Sequence, residues 1–326
     1  MLGFVVRRLL GSVLVLALSS VIVFTLVANA GNPLADLEGR NPPPPREVIE
    51  LRRTQLNLDK PAPERYGIWL KGFVSGDMGR AIDGREVSPM LWERLKITLR
   101  MVLMAIVVAL FLAVTVGVFS AVKQYSAGDY AATFTGFLFL SMPVFWLALL
   151  MKLFLAIRLN NLLGDTYVYT VGHQTPNLTG NLFDRLSDYA GHMVLPVLTL
   201  ALVYFAGWSR FQRSSMLDVL NSDYLRLARA KGLRPRRVMT RHALRNALIP
   251  ITTVVAIDFG QLIGGAVITE EVFAWKGMGD MLIEGIRTYD PNIVLAWLMV
   301  TAVAVVLFNL IADVLYGVLD PRIRYA

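Results

Sequence analysis

Six runs of apolar residues, each long enough to cross a lipid bilayer, constrain this chain more than any other feature. A membrane-spanning helix needs about 20 predominantly apolar residues, and the run 101–122 is uncharged and would form a helix of about 33 Å. Inside a bilayer the backbone must satisfy its own hydrogen bonds, which favours helices. The sequence therefore predicts an all-α integral membrane protein with six transmembrane helices. The predicted spans are 9–27, 101–122, 130–151, 191–209, 246–269 and 293–312.

The first of these runs has a second interpretation, as a cleaved signal peptide. Ala28, Asn29 and Ala30 follow it and resemble a small-residue cleavage site. The apolar stretch is longer than the core of a usual signal peptide, however. A membrane-spanning helix is therefore the favoured interpretation.

Positive charge is concentrated between the fourth and fifth runs. Residues 209–246 contain ten Lys or Arg and two acids, a sum of +8 that equals the formal net charge of the whole chain. Loops rich in Lys and Arg stay on the cytoplasmic side of a membrane, and Arg7, Arg8, Arg322 and Arg324 fit the same side. Both termini are therefore predicted to be cytoplasmic. A basic loop held between spans suits a protein partner at the membrane better than a nucleic acid.

The basic loop is predicted to contain a short helix followed by a sharp turn. Ser222 is a candidate N-cap, and Asp223 would lie near the positive end of the helix dipole. Gly232 can end the helix in a left-handed conformation, and Pro235 suits the first turn of the next helix. The helix would have about nine residues and a length of roughly 13 Å. Such a rigid turn would pass a push on the short helix to the span that follows.

Residues 223–224, 228–233 and 242–247 resemble the coupling loop of ABC-importer permeases of the dipeptide, oligopeptide and nickel group. Gly232 matches the glycine of the broader loop motif, whereas Arg226 stands where that motif has an acid. In that family the loop docks into a groove of a separate ATPase subunit. The alternative is a loop that only anchors the membrane topology. The docking residues that the resemblance implies are Asp223, Tyr224, Arg226, Ala228, Arg229, Ala230, Lys231 and Gly232.

The resemblance recurs along the chain and implies a division of it. Gly76-Asp77-Met78-Gly79 resembles an element before the family's second span, and 271–279 resembles a segment after its fifth. The resemblance implies the type I ABC-importer permease fold with an external segment between helices 1 and 2, and the first of two homologous permease subunits. The implied parts are 1–28 as transmembrane helix 1, 29–96 as the external segment, and 97–326 as the permease core with the coupling loop 210–246.

The function implied by the resemblance is that of a permease subunit in an ATP-driven importer of peptides or related small solutes, working by alternating access. The implied partners are a homologous second permease, two ATPase subunits, an extracytoplasmic binding protein and membrane lipid, in the cell membrane of a bacterium or archaeon. The ATPase subunits would bind ATP and Mg²⁺. Dipeptides, longer peptides, a nickel chelate and haem all stay open as the solute.

Missing motifs support a subunit without catalysis. The sequence contains no Gly-x-x-x-x-Gly-Lys-Ser/Thr phosphate loop, no His-Glu-x-x-His and no Gly-x-Ser-x-Gly. We therefore predict no catalytic, cofactor-binding or metal-binding residue in this chain. The alternative of a self-sufficient secondary transporter or channel stays open, although the spans carry few ionisable groups for a proton relay.

Asp258 is an acid inside the fifth predicted span. A charge at the centre of a bilayer costs on the order of 2.5–3.5 kcal/mol on the lenient insertion scale. Asp258 is therefore a candidate for the translocation path. The alternative is a structural hydrogen bond or a protonated acid within the bundle.

Overall fold

The computed structural model describes residues 2–319, which are helical with no β-strand among them. The predicted cytoplasmic tail with Arg322 and Arg324 lies outside the described residues. Two π-helical segments interrupt the α-helices, at Met151–Ala156 and Val238–Ala243. The α-helices are α1 Leu2–Ala28, α2 Ala35–Glu38, α3 Arg46–Gln55, α4 Ala62–Ser75, α5 Val87–Val122, α6 Ala127–Ser141, α7 Val144–Leu150, α8 Ile157–Leu163, α9 Leu182–Leu220, α10 Asp223–Ala230, α11 Pro235–Arg237, α12 Leu244–Gly265, α13 Val267–Val272, α14 Met278–Arg287 and α15 Pro291–Leu319.

Six stretches of helix within residues 2–319 are long and apolar enough to cross a membrane, which confirms the predicted number. The helices are longer than the apolar runs, because the helical turns that flank these runs also bury one face against the bundle. α5, for example, begins at Val87, and Leu91 on its first turns is fully buried. The boundary predicted at 96/97 therefore falls inside a continuous helix. The stretches are Val6–Ala28, Val87–Val122, Val144–Leu163, Leu182–Leu220, Pro235–Gly260 and Pro291–Leu315.

The third span is broken at Pro143, because proline lacks the amide hydrogen that would continue the helix. α6 ends at Ser141, and Met142 takes an extended conformation because the residue before a proline avoids helical geometry. After the break the chain stays helical to Leu163, where Gly164 adopts a φ of +74°. The predicted outer end of this span at residue 151 was therefore wrong. Lys152, just beyond that residue, donates to the Val272 carbonyl at 2.6 Å.

The bundle core lies between α5 and α9, where small residues allow the two helices to approach closely. A Cβ on Gly117 of α5 would lie 2.7 Å from the backbone oxygen of Ser209. Small residues are the usual means of close helix packing in membranes. The core of this interface consists of Met101, Val102, Ala105, Ala109, Ala113, Val197, Leu200 and Ala201.

At the end of the bundle opposite the basic loop, which we call the outer end, the segment between α1 and α5 is attached to the start of α15. The Ile82 amide donates to Asp290 at 2.5 Å, and the Asn292 side chain donates to the Arg80 carbonyl at 2.7 Å. Gly79 turns here with a φ of +76°, a conformation that glycine adopts at little cost. The segment between α1 and α5 is thus attached to the last helix of the bundle.

The stretch 270–290, between the fifth and sixth predicted spans, is helical for most of its length. It contains the end of α13 and all of α14, and these two short helices meet the outer part of α5. Arg94 of α5 donates to Asp280 of α14 at 2.7 Å. This helical pair closes the outer end of the bundle.

Candidate functional site

The predicted short helix is α10, and it forms a sharp bend with α11; we call residues 222–237 the coupling elbow. α10 has eight residues, and the chain turns at Gly232 with a φ of +74°. Pro235 opens α11 as predicted. Ser222 occupies the N-cap position, but its hydroxyl donates backwards to the Val219 carbonyl at 2.6 Å. The predicted side-chain cap from Ser222 was therefore wrong.

The inner face of α10 is attached to the bundle by apolar contacts. Leu225 is fully buried and Ala228 is 8% exposed. Complete burial of a leucine side chain contributes about 2 kcal/mol, so α10 is held to its neighbours rather than tethered by loops alone. The residues that share this cluster come from α5, α9, the second π-helical segment and α12: Ala121, Met216, Val238, Ala243 and Ala247.

The outer face of α10 is open and basic. The side chains of Tyr224 and Leu227 are 44% and 57% exposed. Arg226 forms a long ion pair with Asp223 at 3.5 Å, and both side chains are exposed, so the pair contributes little to stability. Among the predicted docking residues, Ala228 lies on the inner face. The other seven are exposed: Asp223, Tyr224, Arg226, Arg229, Ala230, Lys231 and Gly232.

Polar bonds link the elbow and the neighbouring helix ends. Asn246 of α12 donates to the Tyr224 hydroxyl at 3.0 Å. Ser215 of α9 donates to the Ala247 carbonyl of α12 at 3.0 Å, in a buried position. The ends of α9 and α12 are therefore fixed to each other as well as to α10.

An ion pair that the sequence analysis missed clamps the same end of the bundle. Arg213 of α9 donates from Nη2 and Nε to the two oxygens of Asp129 at 2.8 and 2.9 Å. Asp129 also accepts from the Ser120 hydroxyl and from the Tyr125 amide. The turn between α5 and α6 is thereby fastened to α9. Asp129 lies three residues after Ser126, which is the spacing between an N-cap residue and the amide that it accepts from. Nothing in the sequence identifies Arg213 as the partner of Asp129.

Asp258 accepts a hydrogen bond from Trp208 Nε1 at 2.6 Å, across the α9–α12 contact. The structural bond that the sequence left open as an alternative is therefore present. Asp258 is only partly buried, and the Tyr204 ring lies 5.5 Å from that of Trp208. The geometry places a carboxylate and two aromatic rings together within the span.

On the outer side, a buried glutamate joins three helices. Glu270 of α13 accepts from Thr98 Oγ1 of α5 at 2.5 Å and from the Gly279 amide of α14 at 2.6 Å. Burial raises its pKa to about 7. The neighbouring Glu271, which begins the segment 271–279, is exposed and pairs with Arg287 at 3.0 Å. We call Glu270 with its partners on α5 and α14 the outer joint.

Within residues 2–319 no cluster of three or more His, Asp or Glu side chains could hold a metal ion. His192 instead stacks on Tyr169 at 4.1 Å, and its Nδ1 lies 2.9 Å from the Asp188 carbonyl. Its surroundings are those of a structural histidine.

Two family profiles cover most of the chain. Residues 113–325 match the binding-protein-dependent transport system inner membrane component, and residues 1–91 match the N-terminal part of such membrane components. The chain belongs to this family. It is a multi-pass permease of an ABC importer, and its match begins within α5 and continues through the coupling elbow.

Curated relatives agree along the full length. The chain is 41% identical over 324 residues to the oligopeptide transport system permease protein OppB of Mycobacterium tuberculosis, covering 99% of both chains. It is 37% identical to the oligopeptide permease AppB of Bacillus subtilis, covering 100% of both. It is 34% identical to the dipeptide permease DppB of Alkalihalophilus pseudofirmus, again covering 100% of both.

A solved structure shows the same fold. The chain superposes on the MetNI methionine ABC transporter in an inward-facing conformation with a TM-score of 0.56, at 16% identity. The match covers 71% of this chain and 96% of the other. At this identity the likeness shows the fold alone, and it confirms the ABC-importer permease fold predicted from the sequence.

Proposed function

We propose that this chain is the first of two homologous permeases in an ATP-driven peptide importer. The support for a peptide substrate comes from the full-length relatives, which are oligopeptide and dipeptide permeases. Residues 29–96 form the external segment, and residues 97–326 form the permease core with the coupling loop 210–246. The basic loop supports a cytoplasmic location of both termini in a bacterial or archaeal cell.

The partners that complete this importer are a second permease, two ATPase subunits and an extracytoplasmic binding protein. ATP and Mg²⁺ are bound by the ATPase subunits, and this chain performs no catalysis. The observation that carries the proposal is the two-sided character of α10. Its exposed face is basic and open, whereas Leu225 on its other face is fully buried among the bundle helices.

The elbow transmits motion because its open face docks on an ATPase subunit, whereas its buried face packs against the bundle helices. When the ATPase subunits close on ATP, a docked α10 is displaced with them. Since Leu225 and Ala228 pack against the ends of α5, α9 and α12, those helices follow as a rigid unit. Hinge and shear movements of this type change which side of a membrane a central cavity faces.

Asp258 lies on the translocation path in this account. Its carboxylate is held by Trp208 at 2.6 Å and stays partly exposed on α12. A carboxylate beside aromatic rings suits the positively charged amino group of a peptide. Asp258 would therefore meet substrate while Trp208 keeps it in place.

The test is transport by the reconstituted complex. The chain is produced together with the second permease, the ATPase subunits and the binding protein, and the complex is reconstituted in vesicles. Uptake of a radiolabelled peptide is then measured with ATP either inside or outside the vesicles. We expect uptake only when the ATPase subunits can reach ATP. Uptake by this chain alone, driven by an ion gradient, would instead favour the secondary transporter.

A further inference from the structure

A cavity of about 580 Å³ opens at the outer end of the α5–α9 pair. Its walls are α5, the first turns of α9 and the loop between α8 and α9. Its size lies within the range of about 300–1,000 Å³ that is typical of pockets for small ligands. Neither the coupling elbow nor Asp258 contributes to it.

Two arginines line this cavity without a carboxylate partner. Among the described residues, neither Arg100 of α5 nor Arg185 of α9 forms an ion pair, and both side chains are exposed. The guanidinium of Arg100 lies 6.0 Å from the centre of the Tyr189 ring. A cation over an aromatic face is oriented without losing its charge. The cavity therefore presents two guanidinium groups that are not paired with a carboxylate of the described residues.

The acid in the cavity wall is already engaged. Asp188 accepts from the Thr175 amide at 2.9 Å and from the Thr175 hydroxyl at 2.5 Å. Its carboxylate also lies 3.6 Å from Nδ1 of His192, on the side of the bundle. Asp188 is 7% exposed. It shapes the wall and takes no part in pairing with the arginines.

The loop that forms the remaining wall is held in place before any ligand arrives. The Tyr169 amide donates to the Gly191 carbonyl at 3.2 Å, and the Gly172 amide donates to the Phe273 carbonyl at 2.8 Å. Together with Thr175 on Asp188, these bonds fix the loop to α9 and to the end of α13. A preformed wall lowers the entropic cost of binding.

We propose that this cavity binds the C-terminal carboxylate of a peptide as it passes from the binding protein into the permease. The inference rests on the proposed function. Arginine is the side chain best suited to a carboxylate, because its planar fork forms two parallel hydrogen bonds. Gln174 and Asn177 add amide groups, and the exposed Leu182 and Leu186 offer apolar contact to the neighbouring side chain.

The test compares trialanine with its C-terminal amide, using the complete complex in vesicles. The affinity of the binding protein for each peptide is measured first, and both are then supplied at saturation. The variants are Arg100→Gln with Arg185→Gln, the charge-preserving pair Arg100→Lys with Arg185→Lys, and Arg158→Gln as a control outside the cavity. Copurification of the ATPases and basal ATP hydrolysis show that each complex is intact.

We expect wild-type complex to import the acid faster than the amide. The double Gln variant should import the acid about tenfold more slowly, the loss of roughly one charge-assisted hydrogen bond, while amide uptake is unchanged. The Lys pair should keep part of the preference, and Arg158→Gln all of it. If the ratio of acid uptake to amide uptake is the same in the double Gln variant as in wild type, the inference is overturned. This includes the case in which both rates fall together because the surface contacts the binding protein. If wild-type complex imports neither peptide with ATP, the proposed function itself fails.

Discussion

The coupling elbow and the outer joint lie at opposite ends of the bundle and are attached to it by different forces. The elbow is attached to the bundle by apolar contacts around Leu225, and its basic face is exposed. The outer joint is closed on all sides, and Glu270 is fully buried with hydrogen bonds to Thr98 and Gly279. Apolar contacts tolerate small sliding movements, whereas a buried hydrogen bond is lost when its partners separate.

The difference suggests a division of labour between the two ends. In the proposed importer a partner would push the elbow while it stays attached, whereas the joint holds three helix ends in one arrangement. Substitutions in the joint should therefore cost stability. Substitutions on the open face of the elbow should cost association or coupling while the fold is kept.

The largest effect is expected for Gly279→Ala in the outer joint. A Cβ at this position would lie 2.5 Å from the Val267 backbone, so α13 and α14 would have to separate. We expect a loss of about 3 kcal/mol in the free energy of unfolding, measured by thermal unfolding of the purified complex. Gly207→Ala is the matched control, because nothing lies within 4 Å of a Cβ there. Equal stability of the two variants would contradict the close packing.

The next effect is a pH dependence that comes from Glu270. Its folded-state pKa of about 7 lies above the ordinary value of 4.5, so the folded protein binds this proton more tightly than the unfolded chain does. The resulting stabilisation is complete below pH 4.5 and is lost as the pH rises to about 7. It amounts to about 3 kcal/mol, because one pKa unit corresponds to about 1.4 kcal/mol.

Glu270→Gln keeps the hydrogen-bonding side chain and removes the titration. We expect the melting temperature of wild type to fall relative to that of this variant as the pH rises from 5 to 8. Glu271→Gln, one residue along and exposed, should show no such trend. A pH-independent difference for Glu270→Gln would mean that the carboxyl does not titrate in this range.

A smaller effect is expected for Gly232→Val in the elbow. Nothing lies within 4 Å of a Cβ there, but the φ of +74° is unfavourable for a β-branched residue, at a cost of about 2 kcal/mol. We expect the turn to shift, so that peptide transported per ATP hydrolysed falls while membrane insertion is kept. Gly232→Asn is the control, because asparagine tolerates this conformation. Normal coupling in the Val variant would count against a rigid turn.

The smallest effect is expected for charge reversal on the open face. Arg226→Glu with Arg229→Glu should weaken association with the ATPase subunits by about tenfold, since exposed ion pairs contribute up to about 1 kcal/mol each. Raising the salt concentration should reduce the difference. The same charge change at Arg40 and Arg46 in the external segment is the control. Equal copurification of the ATPases at low salt would argue against an electrostatic contribution.

The sequence predicted the features that depend on local chemistry. Each of the six apolar runs is long enough to cross a bilayer. Pro143 cannot continue a helix, and Gly232 permits a left-handed turn. The helix ends were less predictable, because α5 gains its outer turns from contacts such as that of Leu91, which no local pattern shows. A serine at the start of a helix can either cap that helix or donate back to the preceding turn, as Ser222 does to Val219, and the sequence does not distinguish the two.

The polar pairs of the site depended on the tertiary fold. Arg213 and Asp129 are 84 positions apart, and only the packing of α6 on α9 brings them together. Glu270 and Glu271 are adjacent acids, and which of them faces the bundle is set by the angle at which α13 meets α5. The sequence could therefore locate the elbow but could not identify the joint.

The most direct test of the elbow as a docking handle is site-specific photo-crosslinking from Leu227, whose side chain is 57% exposed on the open face. A photoreactive residue is placed there in the working complex, with Leu225 as the buried control position. The account predicts an adduct between Leu227 and an ATPase subunit whose yield changes when ATP is added. An adduct only with lipid, or none with an ATPase subunit in a complex that transports, would contradict it.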